Sequence, residues 1–323
     1  AGTRDKYRRA QKRTYKHPKE GNYTSMTTEL TCAGKPFYHL HASHCESGVT
    51  ASLFRDKGVD LSEAMAFGIG SGIFFGHLPF IKMVGLPVTT YRSRPGTLFT
   101  KVAKRLGGKF VTKKYYNFPW KKDRTKEGME DLRALLASGN IVGLTTNIYW
   151  LSYFPDRFRF QFNGHNIIVL REVKDGFRVA DPVLDHPVDC LTEDLERARF
   201  ARGPLESKGY MYYAKSVNPK PDFRKACIDA IKDSCNMMLR TPFPFVGLMG
   251  IRYLGRQTIK SPAVLGEREA RRRLANVVRM QEEVGTGGAG FRFMYAAFLQ
   301  EAAALFGSAE LADLSREMTS IGD

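Results

Sequence analysis

The chain has 323 residues, of which 43% are hydrophobic, and its formal net charge is +17. That length and apolar content exclude wholesale disorder and allow two ordinary domains. The five cysteines show no CxxC spacing, which argues against a disulfide scaffold and a zinc ribbon, so we expect a reducing, cytoplasmic environment.

The positive charge is concentrated in two short segments. Residues 1–25 carry a net charge of +6 and residues 101–126 carry +9, so that nearly all of the excess lies there. An acidic partner is expected to meet one of them. The stretch 64–81 has no formal charge, but four glycines and a proline interrupt it, so we expect no membrane span.

The first elements belong to an α+β pattern. Residues 1–36 are expected to form a basic flexible arm, and a helix is predicted after Cys45, with apolar Val49 and Leu53 before a stop at Gly58. A glycine-rich apolar stretch follows. The next predicted elements are a helix opened by Pro95, a strand at 109–115, a helix at 125–138 and a buried strand at 141–149.

The clearest local signal is a β-hairpin. Two β-rich runs, 166–173 and 177–180, flank a turn that contains Asp175 and Gly176. A short helix at 192–199 and a last strand at 210–214 follow it. Residues 37–216 therefore predict one α+β domain with a mostly antiparallel sheet.

The C-terminal part of the chain is predicted to be all-α. Residues 217–222, with two prolines, are typical of a linker, and no strand pattern follows them in 223–323. The predicted helices begin at Phe223, at Ser261-Pro262 with an end at Gly285, at Phe291, and after the capping residue Ser308.

Cys45 is the first candidate for chemistry. It stands immediately before the helical pattern, and the positive end of a helix dipole lowers the pKa of a thiol and favours the nucleophilic thiolate. A lone cysteine is also a common small buried hydrophobe, so this residue alone leaves both interpretations open.

His165 and Asp181 favour the catalytic interpretation. His165 enters the first strand of the hairpin and Asp181 leaves the second, so antiparallel pairing brings the two side chains together. A carboxylate beside an imidazole fixes its tautomer and stabilises the imidazolium. Cys45, His165 and Asp181 therefore predict a nucleophile, a base and an orienting group in the papain-like order.

Several motifs carry a resemblance to a known family. The runs His-Cys-Glu-Ser-Gly at 44–48, Gly-His-Asn at 164–166 and Ala-Asp-Pro at 180–182 resemble the N-terminal domain of butirosin biosynthesis protein H. So do the stretches 61–72 and 147–153. The motifs at 285–288, 291–292 and 295–299 resemble the helical domain that usually follows it.

That resemblance implies a papain-like cysteine fold, akin to bacteriocin-processing peptidases, with an all-α domain after it. The name-giving member of the family is an acyltransferase that moves an aminoacyl group from a carrier-protein thioester to an amine. Carried over by position, Cys45 is the nucleophile, His165 the base and Asp181 the orienting residue. No cofactor is implied, apart from phosphopantetheine as part of the donor substrate.

The oxyanion donor departs from the papain-like pattern. Such enzymes place a glutamine about six residues before the cysteine, where this chain has His39. His39 or His44 is expected to donate instead, with Asn147 and Tyr149 as further candidates for substrate or oxyanion binding; backbone N–H groups are the alternative. The histidines near Cys45 lack the acids of a metal site, so we predict no metal.

The segment 101–126 interleaves basic and aromatic residues. Acyl carrier proteins and coenzyme A are both acidic, so we expect a docking surface here. A merely solvated face and a groove for single-stranded nucleic acid are the alternatives, and we do not favour nucleic acid. The docking lysines that we predict are Lys113, Lys114, Lys121 and Lys122.

These observations favour an acyltransferase that moves an acyl or aminoacyl group from a carrier-protein or coenzyme A thioester to a small amine through an acyl-cysteine intermediate. A cysteine peptidase, amidase or thioesterase would use the same three residues. A non-enzymatic basic binding module is the interpretation from another class of protein.

Overall fold

A computed structural model describes residues 27–83, 85–115 and 123–323. The strands are β1 (Thr27–Leu30), β2 (Pro36–His39), β3 (Ile73–Met83), β4 (Leu86–Arg92), β5 (Lys109–Lys113), β6 (Val142–Thr146), β7 (His165–Val173), β8 (Gly176–Ala180), β9 (Val188–Leu191) and β10 (Met211–Ser216). The helices are α1 (Cys45–Asp56), α2 (Glu63–Ile69), α3 (Leu98–Leu106), α4 (Thr125–Ala137), α5 (Thr192–Phe200), α6 (Phe223–Leu239), α7 (Gly247–Leu265), α8 (Glu267–Glu282), α9 (Arg292–Phe306) and α10 (Ala309–Gly322).

The central sheet has six strands in the order β5-β10-β6-β7-β8-β9, and every neighbouring pair is antiparallel. Two antiparallel pairs, β1-β2 and β3-β4, stand apart from it. The α+β class and the mostly antiparallel sheet predicted from the sequence are therefore confirmed.

The two faces of the sheet bury different helices. Alternate residues of a strand point to opposite faces, and Ile168 and Leu170 of β7 pack with Val49 and Leu53 of α1. The other face of the sheet, which includes Ile167 and Val169 of β7, packs against α4 and α5. Helix α1, which begins at Cys45, therefore lies directly on one face of the sheet.

The C-terminal helices share a hydrophobic core with the first three helices. Phe298 of α9 lies so close to Gly68 of α2 that a Cβ there would be 2.0 Å from the phenylalanine ring. Phe291 and Leu299 belong to the same core as Phe54. Among the described residues, 217–222 join β10 to α6, and the elements after them are helical, as predicted, while the domain boundaries themselves stay predictions.

Two expectations need correction. The arm predicted over 1–36 includes β1 and the start of β2, whose pairing places Thr28 opposite Tyr38; residues 1–26 lie outside the described residues. The helix predicted to open at Ser261-Pro262 was wrong, because both residues lie inside α7. Pro262 cannot donate to the carbonyl of Thr258, which instead accepts from the Ser261 hydroxyl at 2.8 Å.

One further boundary differs from the sequence pattern, and several elements were not predicted. The strand predicted over 141–149 ends at Thr146, because the Asn147 side chain accepts from the Tyr149 N–H and caps a short 3₁₀ helix. The glycine-rich stretch to which no element was assigned forms α2 and most of β3, and strands β4 and β9 were also missed.

Candidate active site

Cys45 is the first residue of α1, and the residue as a whole is only partly buried. His44 before it has an extended backbone, with φ −133° and ψ 127°, and caps the helix. The N–H groups of a first helical turn have no intrahelical acceptor, and the positive end of the helix dipole lies there. The sulfur of Cys45 is therefore placed where an anion is stabilised.

His165 and Asp181 meet at one end of the β7-β8 hairpin. The register pairs Ile168 with Ala180, so the first residue of β7 lies beside the residue that follows β8. His165 Nε2 donates to Asp181 Oδ2 at 2.7 Å, and the side chains are 6% and 0% exposed. The predicted base and orienting residue are thus in direct contact.

Asp181 has further donors besides His165. The Tyr153 hydroxyl donates to the same Oδ2 atom at 2.8 Å, and the Val183 N–H donates to Oδ1 at 3.2 Å. A fully buried carboxylate is costly unless donors surround it. These bonds satisfy the buried carboxylate and fix its position. Tyr153 ends the stretch 147–153 that carries part of the family resemblance, but it was not among the predicted site residues.

Cys45 and His165 shift each other's ionisation. Burial raises the pKa of the Cys45 thiol, but the hydrogen bond and charge of His165, the backbone N–H of Asn166 and the charge of Arg92 lower it by more. Burial lowers the pKa of His165, and Asp181 and Cys45 raise it above its ordinary value. Both shifts favour a thiolate–imidazolium pair.

Asn166 also contacts the sulfur, although it was not among the predicted site residues. Its Nδ2 atom lies 3.8 Å from Cys45 Sγ, and the Gly164 carbonyl oxygen lies 3.9 Å from the same sulfur. The signal in the sequence was a polar residue at a position of β7 whose alternate neighbours, Ile168 and Leu170, are apolar.

A buried chain of hydrogen bonds holds the residue before Cys45. Arg92 donates to Nε2 of His44, while Nδ1 of His44 accepts from the Ser47 N–H at 3.3 Å and lies 2.9 Å from Ser47 Oγ. Ser47 Oγ donates to Glu63 Oε1 at 3.2 Å, and the His44 N–H donates to the same oxygen at 2.7 Å. Burial and the charges of Arg92 and His165 hold the pKa of His44 well below its usual range.

Glu46 fixes the start of α1 to the start of α3. Its carboxylate forms a buried ion pair with Arg92 and accepts the N–H groups of Gly96 and Leu98 at 3.0 and 3.2 Å. Cys45 therefore lies between two anchored residues, His44 and Glu46.

The C-terminal region covers the base of this site. The Phe291 ring lies 5.0 Å from the His44 ring, edge to face, and stacks on Phe67 at 5.0 Å. Met294 Sδ lies 3.8 Å from Ser47 Oγ. Side chains from beyond residue 223 thus pack directly against the segment that positions Cys45.

The predicted oxyanion residues are held by other contacts. His39 Nε2 lies 2.8 Å from the Leu184 carbonyl oxygen, and burial lowers the pKa of His39. Both ring nitrogens of His44 are engaged by Arg92 and Ser47. The Asn147 amide donates to Gln161 and Asn163 within its own loop, and Tyr149 is exposed and packs on Trp150. Oxyanion or substrate binding by these four residues stays a prediction. Because their polar atoms are engaged elsewhere or exposed, the backbone N–H groups at the start of α1 are the better candidates for oxyanion donors.

The predicted docking lysines are only partly described. Lys113 pairs with Asp131 at 2.9 Å, and the Lys114 ammonium lies 4.7 Å from the centre of the Tyr210 ring. Lys121 and Lys122 lie outside the described residues. Elsewhere in the segment Lys101 and Arg105 both pair with Asp233, so part of its charge is neutralised within the chain.

Across 27–83, 85–115 and 123–323, no group of three or more His, Cys, Asp or Glu side chains could hold a metal ion. No helix in the same ranges is long and apolar enough to cross a membrane.

A cysteine at a helix N-terminus, close to a histidine that binds an aspartate at one end of an antiparallel hairpin, is the arrangement that papain-like cysteine enzymes use. Residues 44–182 match the family model described as butirosin biosynthesis protein H, N-terminal. That segment of the chain is therefore similar to this family. Residues 193–323 match a model described as a domain of unknown function, DUF4872.

Other comparisons add little. No curated protein matches the chain. A crystal structure described as a C39-like peptidase from Bacillus anthracis is 17% identical, covers 59% of this chain and 100% of its own, and has a TM-score of 0.38. A TM-score this low supports no argument about the fold or the reaction.

Proposed function

We propose that this chain is an acyltransferase that moves an acyl or aminoacyl group from a thioester to an amine through an acyl-Cys45 intermediate. The observation that carries the proposal is the contact of the Cys45 thiol with His165, whose other ring nitrogen donates to Asp181 at 2.7 Å. The name of the matched family, which refers to a biosynthesis protein, supports transfer chemistry.

The first half of the reaction exchanges one thioester for another. The Cys45 thiolate attacks the thioester carbonyl, and the N–H groups of the first turn of α1 stabilise the oxyanion. The carbon–sulfur bond to the donor then breaks, and the departing thiolate takes the proton of the His165 imidazolium. Neutral His165 and acyl-Cys45 remain.

The second half transfers the acyl group to the amine. The nitrogen attacks the acyl-Cys45 carbonyl, and His165 takes a proton from the nitrogen as the new amide bond forms. The bond between the carbonyl carbon and Cys45 breaks, and the thiolate is restored beside the imidazolium. Asp181 stabilises the charged imidazolium at both ends of the cycle.

Exclusion of water favours transfer over hydrolysis. His165 and Asp181 are almost completely buried, and Phe291 and Met294 pack against the segment before and after Cys45. An acyl-enzyme kept from bulk water has time to meet an amine. Hydrolysis of a peptide, amide or thioester is the alternative outcome of the same three residues.

Product partitioning tests the proposal. The protein is incubated with an acyl-phosphopantetheine or acyl-coenzyme A thioester and a panel of small amines, and amide and free acid are quantified. We expect amide to exceed free acid for at least one amine, and Cys45→Ala to lose both products. If no amine diverts the acyl group from water, the chain is a hydrolase.

The donor is proposed to be an acidic carrier protein or coenzyme A that approaches the basic segment 101–126. Lys113 is already paired with Asp131. Of these two described lysines, Lys114 is therefore the better candidate to bind an acidic partner. Lys114→Glu is expected to raise KM for the carrier-bound thioester and to leave kcat unchanged. A thioester of a short neutral thiol lacks the acidic carrier, so its KM should not change in Lys114→Glu. An equal rise in KM for both thioesters would contradict docking of the carrier at Lys114.

A further inference from the structure

Asn166 lies beside the reactive sulfur, one residue beyond His165. Its side chain is 5% exposed, and its Nδ2 atom is 3.8 Å from Cys45 Sγ and 3.1 Å from the Gly164 carbonyl oxygen. An amide nitrogen carries two N–H groups. One can therefore bind Gly164 while the other faces the sulfur.

The orientation of this amide is fixed by its neighbours. The Gly164 carbonyl only accepts hydrogen bonds, so the NH₂ group must face it. The oxygen Oδ1 then accepts from the Tyr212 hydroxyl at 3.0 Å and from Thr145 Oγ1 at 3.3 Å. Tyr212 is itself completely buried and stacks on Phe99 with 4.5 Å between ring centres.

The fold explains why this side chain points at Cys45. Asn166 alternates with Ile168 and Leu170 on β7, and those two residues pack with Val49 and Leu53 of α1. The first residue of that helix is Cys45. An amide in an otherwise apolar row costs free energy unless partners satisfy it, and here one of its N–H groups is aimed at the sulfur.

We propose that Asn166 is a positioning residue that holds the Cys45 thiolate through its side-chain amide, and that Tyr212 keeps the amide turned towards the sulfur. The inference rests on the proposed function of Cys45 as nucleophile. In the second half of the reaction, when His165 has not yet completed its proton transfer, the amide donates to the sulfur that departs from the acyl group. The thiolate therefore has a donor that does not titrate.

Other charged and titratable groups also face Cys45. They are His165 from β7, Arg92 from β4 and Tyr212 from β10. Asp181, which follows β8, binds His165, and Glu46 of α1 pairs with Arg92. The variants below leave His165, Asp181, Arg92 and Glu46 in place, so a change in thiol ionisation reports the amide and its anchor.

The test is the pH dependence of Cys45 alkylation by iodoacetamide, resolved by peptide mass spectrometry because Cys32 and Cys235 are exposed as well. With Asn166→Ala we expect the midpoint of the pH profile of Cys45 alkylation to rise by about one pH unit. The alkylation rate at pH 6 should fall roughly tenfold, because the thiolate loses a hydrogen bond. Tyr212→Phe keeps the ring and should shift the midpoint in the same direction by less.

Asn163→Ala is the matched control, because Asn163 is equally buried at 5% exposure and its amide donates to the Pro204 carbonyl. Its Cys45 profile should equal that of the wild type. Unchanged midpoints in folded Asn166→Ala and in Tyr212→Phe overturn the inference, and Tyr212→Phe decides alone if Asn166→Ala does not fold. Alkylation needs no acyl donor, so failure of acyl transfer is distinguished from failure of this inference.

Discussion

Tyr153 and His165 donate to the same oxygen of Asp181, at 2.8 and 2.7 Å. The phenol comes from the loop after β6 and the imidazole from β7, so Asp181 connects two segments of the chain. Burial, with the charge of Asp181 as the next cause, raises the pKa of Tyr153 well above its ordinary value, which keeps the phenol protonated as a donor. The aspartate is therefore held in one position while it orients His165.

Removing one donor should have a smaller effect than removing the carboxylate charge. Tyr153→Phe deletes a hydrogen bond to a charged group and should lower kcat roughly tenfold. Asp181→Asn should lower kcat by about 10³-fold or more, because the amide no longer stabilises the imidazolium. Steady-state kinetics at saturating thioester measure both, and equal losses in the two variants would contradict this division of roles.

Stability should fall as the pH drops below about 6.5. Burial holds the pKa values of His39, His44 and His77 below their usual range, so protonation favours the unfolded chain. The pKa of His165 is raised in the folded protein, so its stabilising contribution is complete below pH 6.5. That contribution is lost only as the pH rises towards the pKa that His165 has in the folded protein.

Urea unfolding at pH 7.0 and 5.5 measures this effect. We expect the free energy of unfolding to fall by at least about 1 kcal/mol. His44→Asn retains a good N-cap residue and should show a smaller pH dependence than the wild type. A free energy of unfolding that rises on acidification to pH 5.5 would contradict the assignment of neutral buried histidines.

The buried pair of Glu46 and Arg92 should show strong coupling. Glu46→Gln leaves the guanidinium without its charged partner and should cost about 3 kcal/mol of unfolding free energy. Arg92→Met should lower the free energy of unfolding by less in the Glu46→Gln variant than in the wild type. A double-mutant cycle by denaturant unfolding gives the coupling, and additive single effects would show that the pair is not a buried unit.

The contact between α2 and α9 can be tested at a glycine. Gly68→Ala would place a Cβ 2.0 Å from the Phe298 ring, so the core must shift at a cost of about 1–3 kcal/mol. Gly255→Ala in α7 is the matched control, because nothing lies within 4 Å of its Cβ position, and it should stabilise by roughly 0.5–1 kcal/mol. Thermal unfolding measures both, and equal effects would mean that the two helices are not tightly packed.

The local patterns of the sequence predicted the contact of His165 with Asp181 and the start of a helix at Cys45. The turn at Asp175 and Gly176 fixed the hairpin, and its pairing brought His165 to Asp181 as expected. The helix signal after Cys45 was equally direct, because α1 begins there. Both features depend on residues that are close together in the sequence, namely the turn residues of the hairpin and the helical spacing after Cys45.

Contacts between distant segments were not predictable in this way. Tyr153, Asn166 and Arg92 reach the site from a loop, from β7 and from β4. Nothing in their own sequence neighbourhoods specifies Asp181, Cys45 or Glu46 as partners. At Ser261-Pro262 a strong local start signal was overridden, because the Ser261 hydroxyl replaces the missing donor inside α7.

The most direct test of the acyl-enzyme mechanism is the mass of the protein after brief exposure to an acyl-thioester without an amine. We expect one added acyl group, mapped by peptide analysis to Cys45, that disappears when an amine is supplied and never forms on Cys45→Ala. Product formation by the wild type with no acyl group ever detected on Cys45, or an adduct on Cys32 or Cys235 instead, would contradict the mechanism.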